Sequence, residues 1–334
     1  MVYLSRKFLR NSKEEIHILS DLNDNLKSGL SKDWAKRACP VCGSEIHSDK
    51  PVARSSPRAE QLNFLQAKDY FIGFRKNQVF FSYYRCKKCA LLYCPWYFSE
   101  VQLNELYSDM PDNLLGENKN VIARTQTGYT KFIAKYVKRV ITYLEIGPDI
   151  GLVTTSIVNL FSPSNLLLVE PNISVHDQLR INAGSKSNID IVASRFQLKP
   201  AKPDLMVGVH VYDHLLDPLY ELTELYSLAA NNGKIAIVVH NEKSILSKIL
   251  RKKWPPFCLQ HPQLYNKNTV KNLLSSAGWQ VLVTKPTTNW FTLNHFVNMG
   301  LSLFGVKHNT LNILPSVSLP IRLGNMILIC EKNE

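Results

Sequence analysis

Four cysteines stand in two identically spaced pairs, Cys39 and Cys42 in "CPVCGS" and Cys86 and Cys89 in "RCKKCALLYC". A two-residue spacer lets one tight turn aim both thiolates at a single ion. Two such knuckles supply the four soft ligands of a tetrahedral, structural zinc. The 43 residues between Cys42 and Cys86 exceed the common ribbon spacing, so a hairpin or loop must be inserted between the knuckles. Cys94 is then a spare thiol and His47 a weaker alternative ligand, while Cys258 and Cys330 read as core thiols. In "NQVFFSYYRC", Val79, Phe81 and Tyr83 alternate with more polar neighbours, the pattern of a strand that delivers the second knuckle. The odd total of seven cysteines argues against a disulfide framework.

A second constellation lies in "YLEIGPDIGL", Tyr143 to Leu152. An apolar run ends in a turn where Gly147 and Gly151 allow close backbone approach to a ligand. Glu170 ends the next apolar run, nineteen residues after Gly151, and its carboxylate can accept two hydrogen bonds from a ribose diol. A dinucleotide fingerprint wants glycine where Asp149 stands. The competing reading is a plain turn with a solvated strand end.

These residues must be carried by regular elements. "RVITYLEIG", "NLLLVEP", "IDIVAS", "DLMVGVHV", "KIAIVVHN", "QVLVTKP" and "NMILICEK" read as seven strands. Helices lie between most of them: "LVTTSIVNLF", "ISVHDQLRINAG" closed by Gly184, "DPLYELTELYSLAANNG" capped by Asp217, and "NKNTVKNLLSSAGW". The fold expected is α/β: a doubly wound, mostly parallel, Rossmann-like seven-stranded sheet preceded by a small zinc-binding domain. Ligands in such sheets bind at the carboxyl ends of the strands, where the winding reverses. The expected divisions are a basic, helical segment over 1–37, a zinc-binding domain over 38–110, a linker and leading helix over 111–139, and the sheet domain over 140–334. An insertion over 290–323 carries Phe291, Phe296, Met299, Leu303 and Phe304, apolar positions of a helix that covers the cleft or forms a dimer contact.

Composition bounds the partners. Hydrophobic residues make up 45% and charged residues 20% of 334, an ordinary globular balance. No apolar run approaches a membrane span, and the opening "MVYLSRKFLRNSKEE" lacks a signal-peptide core, so the cytoplasm is the expected location. The net charge of +13 suits anionic partners: nucleic acid, a nucleotide-linked substrate or a membrane surface. Local concentrations occur at Lys32, Lys36 and Arg37, at Lys135, Lys138 and Arg139, and at Lys248 to Lys253.

"LEIGPDIG", "LLLVEPN", "HVYDHLLDP", "GKIAIVVHNE" and "LLSSAGW" fall in the order seen in class I S-adenosylmethionine-dependent methyltransferases, which the chain resembles. With "CALLYCPWYFSEVQLNELYS" and "KKWPPFCLQHPQLYNKNTVKNLLSSAGW" it also resembles a bacterial group bearing an N-terminal paired-cysteine zinc domain, which includes C-methyltransferases acting on nucleotide-linked sugars. The resemblance implies S-adenosylmethionine as cofactor, met by Glu145, Gly147, Asp149, Gly151, Glu170, Ser194 and His210. Asp149 departs from that family's usual glycine, and "VASRF" offers Ser194 and Arg195 where an acid often meets the adenine amine. An acid at Asp149 repels a dinucleotide's phosphates but not a sulfonium. At the end of the fourth strand, Asp213 and His214 match the acidic–His pair of the sugar C-methyltransferases. The resemblance therefore makes His214 the general base, with Asp213 fixing its tautomer, Tyr212 bonding a substrate oxygen, and His210 beside them. His240, Asn241, His261 and Tyr265 are candidate substrate contacts. "WPPF", Trp254 to Phe257, resembles the NPPY/F turn of amino-methylating nucleic-acid enzymes, but it follows the fifth strand and begins with tryptophan, so it reads as a rigid loop over the substrate.

Three functions remain distinct at this point. The first is methyl transfer to a small molecule, a nucleotide-linked sugar or glycan precursor. The second is an RNA methyltransferase that docks through its zinc domain. The third is a non-catalytic scaffold on a decayed fold.

Overall fold

The computed structural model describes residues 33–71, 79–108, 119–294, 297 and 317–333. Nearly all of the basic segment expected to be helical lies outside these residues. Its described end is a strand, β1 (Ala35–Lys36), rather than a helix. The front module continues with α1 (Phe64–Lys68), β2 (Tyr84–Arg85), β3 (Leu92–Tyr93), β4 (Trp96–Tyr97) and α2 (Glu100–Ser108). Its antiparallel pairings are short, β1 with β4 and β2 with β3. The alternating strand expected over Val79–Tyr83 does not form as such. Val79, Phe80, Phe81, Ser82 and Tyr83 are all buried, because aromatic neighbours cover both sides of the segment.

The remaining elements are α3 (Lys119–Ile133), β5 (Thr142–Ile146), α4 (Leu152–Phe161), β6 (Asn165–Val169), α5 (His176–Ala183), β7 (Asn188–Val192), β8 (Leu205–Val209), α6 (Pro218–Leu228), β9 (Lys234–His240), α7 (Ile245–Leu250), β10 (Gln263–Leu264), α8 (Lys267–Ser276), β11 (Gln280–Pro286), β12 (Asn289–Thr292), β13 (Ser318–Ile321) and β14 (Asn325–Glu331). Seven strands form one sheet in the order β11-β14-β9-β8-β5-β6-β7. The pairs from β9 to β7 are parallel, and β14 runs antiparallel between β9 and β11. All seven strands read from the sequence are present. Winding reverses between β5 and β8, so a crevice opens at their carboxyl ends.

Both faces of the sheet's inner strands are covered, which is why they read as continuous apolar runs, while the edge strands β7 and β11 are only partly buried. Tyr143, Leu166, Leu168, Val207 and Val238 pack with Ile133, Val153, Ile157 and Leu179 on one side. Their alternates Leu144, Leu167, Met206 and Ile237 pack with Leu222, Leu225, Val270 and Trp279 on the other. Asp217 caps α6 by accepting from the Tyr220 N–H, and Pro218 opens the helix, as its sequence implies.

The two parts interlock. β10 adds to β3, so the segment after β9 lends a strand to the front sheet. Trp254, Phe257 and Leu259 are buried within the front module's aromatic core, against Phe80 and Tyr83. "WPPF" is therefore a docking plug between module and sheet domain, with the Trp254 ring edge-on to His240 at 6.2 Å. Arg85 adds a two-pronged ion pair to Glu242 at 2.8 and 3.2 Å. Phe291, expected in a helix, lies in β12, which pairs with β13 and packs on α3. The other apolar positions of that expected helix, Phe296, Met299, Leu303 and Phe304, lie outside the described residues.

Candidate functional site

The cysteine knuckles are built alike. Cys39 N–H bonds Ser44 O and Gly43 N–H bonds Cys39 O; Cys86 N–H bonds Leu91 O and Ala90 N–H bonds Cys86 O. Gly43 and Ala90 occupy the same left-handed position, at φ 68° and 63°. The four sulfurs lie within 4.8 Å of one another, with Cys39 to Cys89 at 3.4 Å and Cys42 to Cys86 at 3.5 Å. A hydrogen bond shared with Cys89, together with burial, raises the Cys39 thiol, and the same bond pulls Cys89 down to about 5. Four crowded sulfurs of which one readily ionises fit a thiophilic divalent cation in place of their protons. His47 is outside this group; its Nδ1 faces the Ser48 carbonyl. Cys94 is buried against the Phe81 carbonyl, and Cys330 is a core thiol.

At the β5 turn, Gly147, Asp149 and Gly151 have φ of 66°, 53° and 81°. The middle position thus needs the left-handed region that glycine favours and that aspartate, among side-chain-bearing residues, tolerates well. The altered residue keeps the shape of the turn. Space is also closed there: a Cβ on Gly147 would lie 2.9 Å from Val211 Cγ2, and one on Gly151 2.5 Å from Leu179 Cδ1. Glu170, buried at the end of β6, accepts the Asp149 N–H on one oxygen and the Asn172 N–H on the other, at 2.8 and 2.9 Å. Each oxygen keeps a lone pair for a ligand hydroxyl. Glu145 is 2% exposed and accepts from Tyr143 and Thr154 hydroxyls, and burial lifts it to about 7. Ser194 is buried at the start of a short 3-10 turn, and Arg195 turns to α6, pairing with Glu221 at 3.0 Å and Glu224 at 3.5 Å.

Four histidines meet at the carboxyl ends of β8 and β9. His210 follows β8 at φ 54°, an unusual backbone state for this residue. Its ring stacks on that of His240, the last residue of β9, with centroids 4.4 Å apart. His261 lies against both His240 and His214, at 4.9 and 4.6 Å. The proton positions follow from fixed partners. Pro256 O can only accept, so His261 Nδ1, 2.8 Å away, carries hydrogen, and its Nε2 is a lone pair. His214 Nε2, 3.1 Å from that lone pair, must then donate. His214 Nδ1 is left to accept the Tyr107 hydroxyl at 3.0 Å. Tyr107 comes from α2, so the front module supplies part of this site. Cys258 is more than a core thiol, since its sulfur lies 3.2 Å from His261 Nδ1.

Asp213 does not hold His214. Its Oδ2 accepts the His240 backbone N–H at 3.1 Å and lies 3.7 Å from His210 Nδ1, while Tyr107 and His261 occupy the two nitrogens of His214. Tyr212 is fully buried, with its ring against Gly208 in the core, so it cannot meet a substrate oxygen. Its place beside the Asp213–His214 pair had suggested a substrate contact, but the chain turns there and the ring packs inward. Tyr265 is likewise buried, its hydroxyl donating to Tyr212 O. Asn241 accepts the Lys243 N–H, ordering the turn after β9. Two residues given no role from the sequence, Tyr107 and Asn325, complete the cluster. Asn325 opens β14 beside His240, and only its polarity before an apolar run distinguishes it in sequence.

Residues 119–284 match the family described as "Methyltransferase domain". The chain is an S-adenosylmethionine-dependent methyltransferase. None of the curated proteins matches it. Among solved structures it is similar to the N-methyltransferase NodS from Bradyrhizobium japonicum in complex with S-adenosylhomocysteine, at 12% identity and TM-score 0.46, over 70% of this chain and 98% of that one. It is also similar to an S-adenosylmethionine-dependent methyltransferase from Thermotoga maritima, at 16% identity and TM-score 0.42, covering 64% and 91%. A third is the N,N-8-amino-8-demethyl-D-riboflavin dimethyltransferase RosA from Streptomyces davawensis, at 14% and 0.43, covering 63% and 55%. Likeness at this level assigns no acceptor. No described helix of the methyltransferase is long and apolar enough to cross a membrane.

Burial keeps the methyltransferase's histidines neutral. It lowers His210 to about 4 and His240 to about 3, and it lowers His214 and His261 as well. Neutral imidazoles would add no repulsion toward a sulfonium. Each native value lies below the unfolded value of about 6.5. The unfolded chain therefore gains protons first on acidification, and the stability these groups give above pH 6.5 is lost toward pH 3–4, at up to about 1.4 kcal/mol per pH unit each. Glu145, Glu170 and Asp213 are raised by burial and act in the opposite sense. The His240→Gln variant isolates one group: its melting-temperature deficit against wild type should shrink from pH 7 to pH 5. A deficit constant with pH would show that His240 is not held neutral by the fold.

Proposed function

We propose that this methyltransferase acts on a small acceptor, a nucleotide-linked sugar or related glycan precursor, and that its histidine cluster removes the acceptor's proton. The observation that carries this reading is the gathering of four imidazoles and one buried carboxylate next to the Gly147 turn, where Val211 Cγ2 fills the space a Gly147 side chain would need. Methylation at a carbon beside a carbonyl, or at a hydroxyl, requires such a base; a preformed amine lone pair does not. Lys248, Arg251 and Lys252 are exposed on the segment joining His240 to His261, a placement that suits an acceptor's diphosphate.

Gly147, Asp149, Gly151, Glu145, Glu170, Ser194 and His210 are the residues assigned to the cofactor, with Glu170 on the ribose diol. S-adenosylmethionine supplies an electrophilic methyl on a sulfonium. His214 is assigned as the base. Tyr107, whose hydroxyl donates to His214 Nδ1, passes a proton to that nitrogen as it takes one from the acceptor, and His214 Nε2–H shares the resulting charge with His261. Cys39, Cys42, Cys86 and Cys89 are assigned to one structural Zn2+, whose four positions the protein fills. The zinc-held module thereby presents Tyr107 to the sheet domain.

The test is transfer of labelled methyl from S-adenosylmethionine to a panel of nucleoside-diphosphate-linked ketosugars, with bulk ribosomal RNA as the competing acceptor. Label in a sugar nucleotide, reduced roughly 10²–10⁴-fold in His214→Ala while S-adenosylhomocysteine affinity is kept, is the expected result. Label in RNA alone would replace this reading with the nucleic-acid one. An undiminished rate in His214→Ala would remove the base assignment.

A further inference from the structure

His210, Asp213 and His240 each place one ligand-type atom within 4.8 Å of the others, the donor set of a divalent-cation site. Asn325 decides against a cation there. Its side chain is buried and spans both rings: Oδ1 lies 2.8 Å from His240 Nδ1, and Nδ2 lies 3.2 Å from His210 Nε2. A carboxamide has one accepting and one donating end, so the two ring nitrogens it touches must differ in protonation. A metal-bound histidine pair needs both outer nitrogens protonated and accepted. One amide cannot provide that.

The orientation of the amide is fixed by its surroundings. His210 Nδ1 faces the Asp213 carboxylate at 3.7 Å, which favours hydrogen on that nitrogen and a lone pair on Nε2. The Nδ2 end also points to Asn289 Oδ1 at 3.5 Å, an acceptor. Oδ1 then takes the His240 Nδ1–H.

We propose that Asn325 is a positioning residue of the methyltransferase: it holds both stacked rings as Nδ1–H tautomers, leaving His240 Nε2 as an acceptor and His210 Nδ1–H, 3.7 Å from Asp213 Oδ2 and without a hydrogen-bond partner among the described residues, as a donor. An acceptor–donor pair of this kind matches a hydroxyl, which donates to one nitrogen and accepts at another. The ligand class is therefore a hydroxylated acceptor, oriented by the ring pair while His214 handles the proton. This inference rests on the proposed acceptor site, but the tautomers themselves can be read without any substrate.

The experiment is long-range 1H–15N spectroscopy of histidine-labelled, full-length, zinc-loaded protein near pH 7.5. His210 and His240 signals are identified by their loss in His210→Gln and His240→Gln. Both rings should show the Nδ1–H pattern, although free imidazole side chains prefer hydrogen on Nε2. In Asn325→Asp both carboxylate oxygens accept, so His210 should switch to Nε2–H while His240 stays as it was. If that variant does not fold, Asn325→Ala should let His240 drift to Nε2–H. A wild-type His210 already in the Nε2–H form would overturn the proposal. So would a second equivalent of added Zn2+ or Mn2+ that binds tightly and is lost in His240→Gln. Failure of sugar nucleotides as acceptors, with the Nδ1–H pattern intact, would sink the substrate reading and leave the role of Asn325 standing.

Discussion

Chelation of zinc, or replacement of Cys86 by serine, should release one zinc per chain and unfold the front module. The two knuckles carry few other constraints: each is a turn closed by two backbone hydrogen bonds, and Cys42 and Cys89 are only partly buried. Without a cation, the sulfurs, paired at 3.4 and 3.5 Å, must share protons among themselves in a crowded, half-buried space. Structural zinc binding contributes about 10–16 kcal/mol in small domains near neutral pH, which is more than the stability of most whole proteins. The effect should spread beyond the knuckles. Val41, Leu91 and Tyr93 belong to the core that lies on the sheet, and Tyr107 meets His214 from the same module. Melting of the zinc-free protein should therefore begin well below the melting of the holo form and disturb the tyrosine near-ultraviolet signal. Metal analysis that finds no zinc in native protein, or a Cys86→Ser variant with unchanged melting, would end the metal assignment.

Glu170→Ala is expected to weaken S-adenosylhomocysteine binding by about 1–3 kcal/mol, since hydrogen bonds to a charged group have that worth. The measured change should be roughly 5- to 150-fold in Kd. Two contributions act together. The carboxylate's remaining lone pairs are assigned to the ribose diol, and its other pair holds the Asp149 and Asn172 N–H groups that shape the turn. Glu170→Gln is not a conservative control here. Both oxygens accept backbone N–H groups, so an amide nitrogen would face a donor with a donor, and a comparable loss is expected. Calorimetric titration decides the matter: unchanged affinity in both variants would leave Glu170 as a turn cap and nothing more.

Much of this protein is local chemistry, and that part was legible in the chain itself. The paired two-residue spacers of Cys39–Cys42 and Cys86–Cys89 bring thiols together through single turns, so distance along the chain nearly fixes distance in space. Seven largely apolar runs marked the strands of the sheet, and Asp217–Pro218 and Gly184 marked helix ends by capping chemistry that acts within four residues. Gly147 and Gly151 likewise announced a close turn, and the φ of 53° at Asp149 shows why its departure from glycine is tolerated.

What only the tertiary structure decided are the partners. Asp213 is adjacent to His214 in sequence, yet it bonds the His240 backbone, because the chain turns after β8 and points the carboxylate toward β9. Tyr212 read as a cleft residue and proved to be core for the same reason. Tyr107 and Asn325 reach the histidines across 107 and 85 residues of chain, to His214 and His240 respectively. No periodicity or spacing encodes such contacts. They arise when β14 inserts beside β9 and when Trp254 and Phe257 plug the front module onto the sheet. The sequence determined which elements and which metal-type ligands exist, since both follow from neighbours a few residues apart. The proton arrangement of the site was decided by packing, because a histidine's tautomer depends on whichever buried donor or acceptor the fold brings to its other nitrogen.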